Sequence, residues 1–414
     1  MANTMQPAQP NQADSESPEI KPEGGDKKKG KAPLLLIFFT VFIDLVGFGL
    51  IIPVLPTYAQ QLHASEWMVG CVIATYSVLQ FIFTPIWGRM SDKVGRRPIL
   101  LFSLAASALG YLIWGFSNSL VLLFVARAVA GAGNANIAVA QAYVSDVTTP
   151  ENRAKGMGLV GAAFGLGFVI GPAIGAGCVG LGLQTIGFIA AAMSLLDLVL
   201  TFFLLPEPPV RSNAATERFS TDKNFYFSTV SDPKLRTSLL IFFISTFAFA
   251  NMEATIVMLT NNQFHFTPRD NTLMFLYIGL LIVFVQGGMI HRLTKKYGEK
   301  KLIGAGCIMV AIGLILTPVT ANLWVLGAAL FFLAVGSGLN NPANQSMLSK
   351  LAPADRTGGV LGVGQSLSTL GRIAGPVVGA CAFQYLGMSS PYFIGAVAMV
   401  VAFILSLKLP DASA

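Results

Sequence analysis

The chain has 414 residues, 54% hydrophobic and only 11% charged, where a soluble domain carries roughly a quarter charged residues. Its 27 Lys+Arg and 20 Asp+Glu are too few to solvate the surface of two or three soluble domains, so an ordinary soluble enzyme is excluded. The net charge of +7 comes with no basic stripe interleaved with aromatics. That removes nucleic acid as a partner and leaves a polytopic membrane protein embedded in a lipid bilayer.

Residues 1–32 are rich in Pro, Gln, Glu and Lys without apolar periodicity, and read as a disordered cytoplasmic tail. No small-residue cleavage site follows, and the next apolar run is too long for a signal peptide. Apolar runs long enough to span a bilayer are predicted at 34–58, 67–88, 98–116, 119–145, 156–180 and 183–205, then at 237–261, 270–291, 301–320, 323–348, 357–385 and 389–408. Two six-helix bundles, 33–205 and 237–409, are therefore expected around a linker at 206–236, with a short tail at 410–414. The fold class is all-α membrane protein with twelve transmembrane helices. Placing the N-terminus inside puts 24 of the 27 Lys+Arg on the cytoplasmic side and leaves only Arg269 in an outer loop. The positive-inside rule thus predicts two cytoplasmic termini.

The halves repeat. Gly88-Arg-Met-Ser-Asp-Lys-Val-Gly95-Arg-Arg is echoed by His291-Arg-Leu-Thr-Lys-Lys-Tyr-Gly298-Glu-Lys, and Pro150…Arg153…Gly171-Pro172 by Pro353…Arg356…Gly375-Pro376. Parallel repeats of this kind enclose a central cavity at the bilayer midplane.

Ionisable residues inside the spans are the strongest chemical signals, each costing at least about 2.5–3.5 kcal/mol at a helix centre. Asp44 lies ~16 Å into span 1 at helical rise, a depth suited to a proton carrier. Arg127 in span 4 lies within a few Å of that depth, and a polar or small stripe follows it: Gly131, Asn134, Ala138, Gln141, Ser145. Such a stripe suits a wet cavity, with Arg127 tuning Asp44 directly or through water. Glu253 in span 7 and Arg372 in span 11 form a second expected pair, serving either as gate and proton site or as plain mutual stabilisation. Tyr76 and Gln80 in span 2, Asn341 and Asn344 in span 10, and Gln365 and Ser368 in span 11 complete the expected substrate cavity. Asp197, about eight residues from the cytoplasmic end of span 6, is within snorkelling reach of the interface and is a lesser candidate beside these. Three scattered histidines and four lone cysteines give no metal site or disulfide framework. No G-x-x-x-x-G-K-[ST] loop is present, so ATP and other cofactors are not expected.

The loop Gly88-Arg89-Met90-Ser91-Asp92-Lys93-Val94-Gly95-Arg96-Arg97 resembles the loop 2–3 signature of the major facilitator superfamily. Arg127-Ala-Val-Ala-Gly131-Ala-Gly133 is similar to its span 4 signature, and Gly167-Phe-Val-Ile-Gly171-Pro172-Ala-Ile-Gly175 to the span 5 signature of its antiporters. Span 1, Asp44-Leu-Val-Gly47-Phe-Gly49-Leu-Ile-Ile-Pro53-Val-Leu-Pro56, looks like the drug/proton antiporters, and most of all the tetracycline efflux proteins. The resemblance runs from span 1 to span 12 and implies a cytoplasmic gate at Gly88, Asp92, Gly95 and Arg96. It also implies that Gly167, Gly171, Pro172 and Gly175 line the seam between the halves. Asp92 can meet either Arg96 or a helix N-terminus across that seam.

The expected function is proton-coupled export of a lipophilic, tetracycline-like or multidrug substrate by alternating access, as a monomer in the cell (inner) membrane. The partners are the small molecule and protons, which would compete for one cavity. Transport of a metabolite, sugar or lipid, or a receptor role on the same fold, is the alternative.

Overall fold

The computed structural model describes residues 31–134, 136–148, 150–208, 223–320, 322–353 and 356–410. The N-terminal lysines before Lys31 and the middle of the linker lie outside the described residues. Among the described residues, twelve helices are long and apolar enough to cross a membrane: Pro33–Ile51, Glu66–Val94, Arg96–Gly115, Leu120–Val147, Gly156–Leu181, Leu183–Leu204, Pro233–Phe264, Pro268–Tyr297, Glu299–Val319, Leu323–Leu351, Thr357–Leu386 and Ser390–Leu407. They are spans 1 to 12 below. Hydrocarbon offers no partner for a free N–H or C=O, so the chain crosses as helices whose backbone bonds close internally. With an even count of crossings, both ends leave from one face, which also carries the cationic loops at 89–97 and 292–301. We call it the basic face and the opposite one the far face.

Helix breaks mark where sequence and structure part. Span 1 stops at Ile51, and a turn leads into a short helix, Leu55–Gln61. Pro53 cannot donate to the ladder and crowds the carbonyl four residues back, so the run expected at 34–58 divides. Span 4 is two helical pieces, Leu120–Gly133 and Asn136–Val147, with Asn134 out of helical conformation at ψ 88°. Span 8 contains a π-helical turn, Val285–Met289, over Gly287 and Gly288. Span 7 starts at Pro233, where the Asp232 side chain accepts from the Lys234 N–H. Lys234 and Arg236 therefore belong to its first turns, and the linker holds a helix of its own, Lys223–Ser231.

The halves are built alike. In the first, span 1 packs on spans 5 and 6, and span 3 on spans 4 and 6; in the second, span 7 packs on spans 11 and 12, and span 9 on spans 10 and 12. Between them the seam is formed by span 2 against span 11 and span 5 against span 8. At the far face this seam is shut. The Trp67 N–H donates to Gln384 Oε1 at 3.0 Å, and the Thr57 and Asn261 side chains meet at 3.3 Å. Gly70 lies directly on the Pro376 carbonyl and Ala380. Toward the basic face the contact is lost. Val69, Gly70, Val72, Ala74, Tyr76 and Ser77 of span 2 are buried, whereas from 78 to 94 only Ser91 is.

A side chain at Gly70 has nowhere to go, because its neighbours are backbone and a packed Cβ. Gly70→Val is expected to destabilise this far-closed state by about 1–3 kcal/mol and to raise maleimide labelling of Cys71 and Cys381. Those two thiols lie on facing spans. Labelling followed by mass spectrometry reads the change; unchanged labelling would mean the seam does not rest on this contact.

Candidate functional site: a charged cavity between the halves

Just beneath the far-face closure lies a small cavity lined by residues of both halves. Phe48 and Ile52 come from span 1, Leu55 from the short helix after the Pro53 break, and Ile73, Tyr76 and Ser77 from span 2. Span 4 contributes Arg127, span 7 Ala250 and Glu253, and span 11 Arg372 and Pro376. Most of this lining is apolar, and the charges are concentrated in three groups.

Arg127 is 4% exposed. Its guanidinium carbon stands 4.5 Å from the centroid of the Tyr76 ring, where the negative face of the ring offsets part of the cost of burying a cation. Its Nε atom has no hydrogen-bond partner. Glu253 feels the charges of both Arg372 and Arg127, but among the described residues it forms no ion pair with either within 4 Å. The expected Glu253–Arg372 contact pair is thus an open arrangement across the cavity. Two guanidinium groups face one carboxylate, which leaves a positive charge for a ligand to offset.

Asp44 does not line the cavity. It sits one helical turn before Phe48, 3% exposed, with the Ser107 and Asn136 side chains facing it. Tyr76 and Tyr111 interact electrostatically with both Asp44 and Arg127, and among the described residues Asp44 and Arg127 form no ion pair. Depth along the helix axes brought Asp44 and Arg127 to one level; the rotation of each helix separates them. A proton on Asp44 and a ligand in the cavity therefore do not contend for the same atoms.

The remaining cavity residues divide. Tyr76 lines the cavity. Gln80 donates to Asn134 Oδ1 at 2.8 Å one turn further toward the basic face, and Thr84 bonds the Asn134 carbonyl there. Gln141 and Gln365 are exposed, and Asn341 is half-buried. Asn344 and Ser368 are helix ties instead: Asn344 accepts from the Ser238 hydroxyl at 2.5 Å and donates to the Ser238 carbonyl at 3.1 Å, while Ser368 meets Thr246 at 3.0 Å. Both contacts close inside the second half, where a polar side chain satisfies a neighbouring helix rather than a cavity.

Span 5 plays a double part. Gly167 and Gly171 pack on Leu45, Val46 and Gly49 of span 1, within the first half, and Pro172 borders Gly49. Gly175 faces Thr272 and Gly165 faces Val283, both on span 8 across the seam. Only part of the glycine stripe lies on the seam, because successive glycines turn toward both neighbouring helices.

At the basic end of the first half, Gly95 takes φ 109° and separates spans 2 and 3. Arg96 bonds Asp92 at 2.5 Å, the Asp146 carboxylate at 2.8 Å and the Ser91 hydroxyl at 2.7 Å. The Glu207 carboxylate accepts from the Arg96 and Arg97 backbone N–H groups at 2.6 and 3.0 Å, an anion on a helix N-terminus. Asp92 thus meets Arg96, not a helix across the seam, and every one of these contacts lies within the first half. A Cβ at Gly88 would meet nothing within 4 Å. Sequence reasoning missed Asp146 and Glu207, although each is an acid at the basic end of a span. Asp197, within snorkelling reach by its place in the span, is 2% exposed inside the bundle.

A membrane-embedded cavity between two repeated six-helix halves is the architecture of a small-molecule transporter, and sequence comparison gives the same class. The family profile of the Major Facilitator Superfamily matches residues 37–293 and 242–414, and the chain belongs to that superfamily. It is 35% identical to a class H tetracycline resistance protein of Pasteurella multocida, over 86% of this chain and 90% of that protein. It is 28% identical to multidrug resistance protein 2 of Bacillus subtilis, over 90% and 93%. The crystal structure of the human organic anion transporter MFSD10 superposes with a TM-score of 0.71 at 26% identity, covering 91% of this chain and 99% of that one. The protein is a multi-pass membrane transporter, not an enzyme.

Asn344→Ala removes both ties to Ser238, leaving a buried hydroxyl without its partner. It is expected to destabilise the protein by about 1–3 kcal/mol while ligand affinity stays unchanged. Thermal unfolding and a ligand titration on the same preparation separate the two; a weakened affinity at unchanged stability would return Asn344 to the cavity.

Proposed function

We propose that the protein is a proton-coupled exporter of lipophilic small molecules, tetracycline-like or of multidrug type, working by alternating access. The observation that carries this reading is the cavity at the closed far face, apolar for most of its lining yet holding Arg127, Glu253 and Arg372. Phe48, Ile52, Leu55 and Ile73 suit a lipophilic body better than a sugar, whose hydroxyls would need polar partners on all sides. The charged groups suit a polar or negatively charged edge on the same molecule. The tetracycline and multidrug resistance proteins among the relatives support this substrate class.

In this reading the basic face is cytoplasmic, both termini lie inside, and the far-closed arrangement is the state that loads substrate. Asp44 carries the proton. Its charge reaches the cavity through Tyr76 and Arg127, so protonation changes how strongly Arg127 is drawn toward the cavity's own carboxylate or toward a ligand. Downhill proton entry then supplies about 2.3 kcal/mol per charge per 100 mV. The loop at 88–97 becomes a gate when the basic face closes. One chain encloses the whole cavity, and it works as a monomer.

Everted vesicles energised to an acid interior test this directly. Adding tetracycline or another lipophilic compound is expected to collapse the pH gradient in the wild type and not in Asp44→Asn. A collapse that persists in Asp44→Asn would move the proton to Glu253 or elsewhere; no collapse with any compound would favour a metabolite carrier or a receptor. Gly88, open on this side, gives a second test. Gly88→Val is expected to leave thermal stability unchanged and ligand binding intact, but to slow turnover by obstructing closure of the basic face. Wild-type turnover in that variant would remove Gly88 from the gate.

A further inference from the structure

Inside the first half, spans 1, 3, 4 and 6 bury a group of polar side chains, Thr40, Asp44, Ser107, Asn136, Ser194, Asp197 and Thr201, that neither the cavity nor the gate uses. Thr40 of span 1 and Thr201 of span 6 meet hydroxyl to hydroxyl at 3.1 Å. The two spans run in opposite directions, so Asp44, four residues after Thr40, and Asp197, four residues before Thr201, both lie one turn beyond that contact toward the far face. At 1.5 Å per residue each stands ~6 Å past it, and the two carboxyls occupy one level on facing helices. Asp197 feels the charge of Asp44.

The group is rich in polar atoms without partners. Asp44 Oδ1, Asp197 Oδ2, the Ser194 hydroxyl and both amide atoms of Asn136 are buried and make no well-formed hydrogen bond. Asn136 is 0% and Ser194 1% exposed. Ser194 lies one turn from Asp197 on span 6, and Asn136 faces Asp44. One orphaned buried polar atom costs about 1–3 kcal/mol, so two acid oxygens together with the three polar atoms of Asn136 and Ser194 beside them favour ordered water there. Two carboxylates in one such group are not both charged at once, because like charges in a medium of low dielectric repel strongly.

We propose that Asp197 is a second proton-carrying group, exchanging a proton with Asp44 through water held by Asn136 and Ser194. This rests on the proton-coupled reading above and extends it. The protonated Asp44 carboxyl gives its proton to a bridging water, and that water gives a different proton to the Asp197 carboxylate. Asp44 is left charged, Asp197 neutral and the water unchanged. The proton thereby moves away from the cavity, from span 1 to span 6, and the first half keeps it while Asp44 is free to act on Tyr76 and Arg127. The proton path lies within one half, and the substrate path lies between the two.

The test uses full-length protein in vesicles and compares two transport modes of one labelled compound. Uphill accumulation needs the proton, whereas exchange of labelled for unlabelled compound at equal concentrations does not. Asp197→Asn is expected to lose uphill accumulation and retain exchange, and Asp197→Glu to recover accumulation. Wild-type accumulation in Asp197→Asn overturns the proposal, as does loss of both modes that Asp197→Glu does not restore, which is the mark of a purely structural residue. If the wild type itself shows exchange without uphill accumulation, the proton-coupled reading fails first. Should Asp197→Asn not reach the membrane, the wild type is treated with the apolar reagent dicyclohexylcarbodiimide, which modifies protonated carboxyls, and mapped by mass spectrometry. An adduct on Asp197 supports the proposal; an adduct on Asp44 with none on Asp197 overturns it.

Discussion

Everything at the centre of this molecule turns on the burial of one guanidinium. Among the described residues Arg127 has no carboxylate within ion-pair distance, and it rests on the Tyr76 ring, a weaker compensation than a salt bridge of good geometry. A cation held this way responds to small changes of charge nearby, since little else fixes its balance. Glu253 reaches it from the second half, and Tyr76 and Tyr111, which also feel Asp44, reach it from the first. One group therefore senses the cavity, the other half and the first half's interior together. A tight Arg127–Asp44 pair would have fixed the charge and left the cavity insensitive to it.

The twelve spans were legible because their cause is one-dimensional: a run of apolar residues of bilayer length needs no tertiary context. The ionisable residues were legible for a related reason, since Asp44, Arg127, Glu253 and Arg372 are too costly in hydrocarbon to be incidental. Rotation about the helix axes was not legible. Asn344 shares a span with other polar residues and reads as cavity-lining, yet its amide turns to Ser238. Asp197 reads as a residue near enough to the interface to escape, yet the side of the helix it occupies faces span 1. Glycines at four-residue spacing on span 5 read as one stripe, and the helix shares them between span 1 and span 8. Long-range partners such as Glu207 at the start of span 3 leave no local pattern at all.

The repeat is faithful in packing and inverted in charge at one informative place. In the first half the turn after Gly95 offers Arg96 to the carboxylate of Asp146; in the second, the turn after Gly298 offers Glu299 to the ammonium of Lys350, at 2.5 Å, and to the Ser346 hydroxyl. The same corner, joining the end of one span to the start of another, is held by an ion pair of opposite sense. What the architecture requires there is a tie between two helix ends, and either polarity supplies it.

Both of these ties close within their own half, and so do Glu207 on span 3 and Asp92 on Arg96. When the halves part or meet at the basic face, none of these ionic contacts has to break. At the far face the halves meet through backbone against small side chains, with Gly70 on Pro376, and through the Trp67–Gln384 and Thr57–Asn261 hydrogen bonds. Among the described residues, the far-face closure therefore rests on close packing and neutral hydrogen bonds and not on ion pairs. Added salt, which screens exposed ion pairs over about 10 Å at 0.1 M, leaves that closure in place. A single added methyl group on span 2 does not.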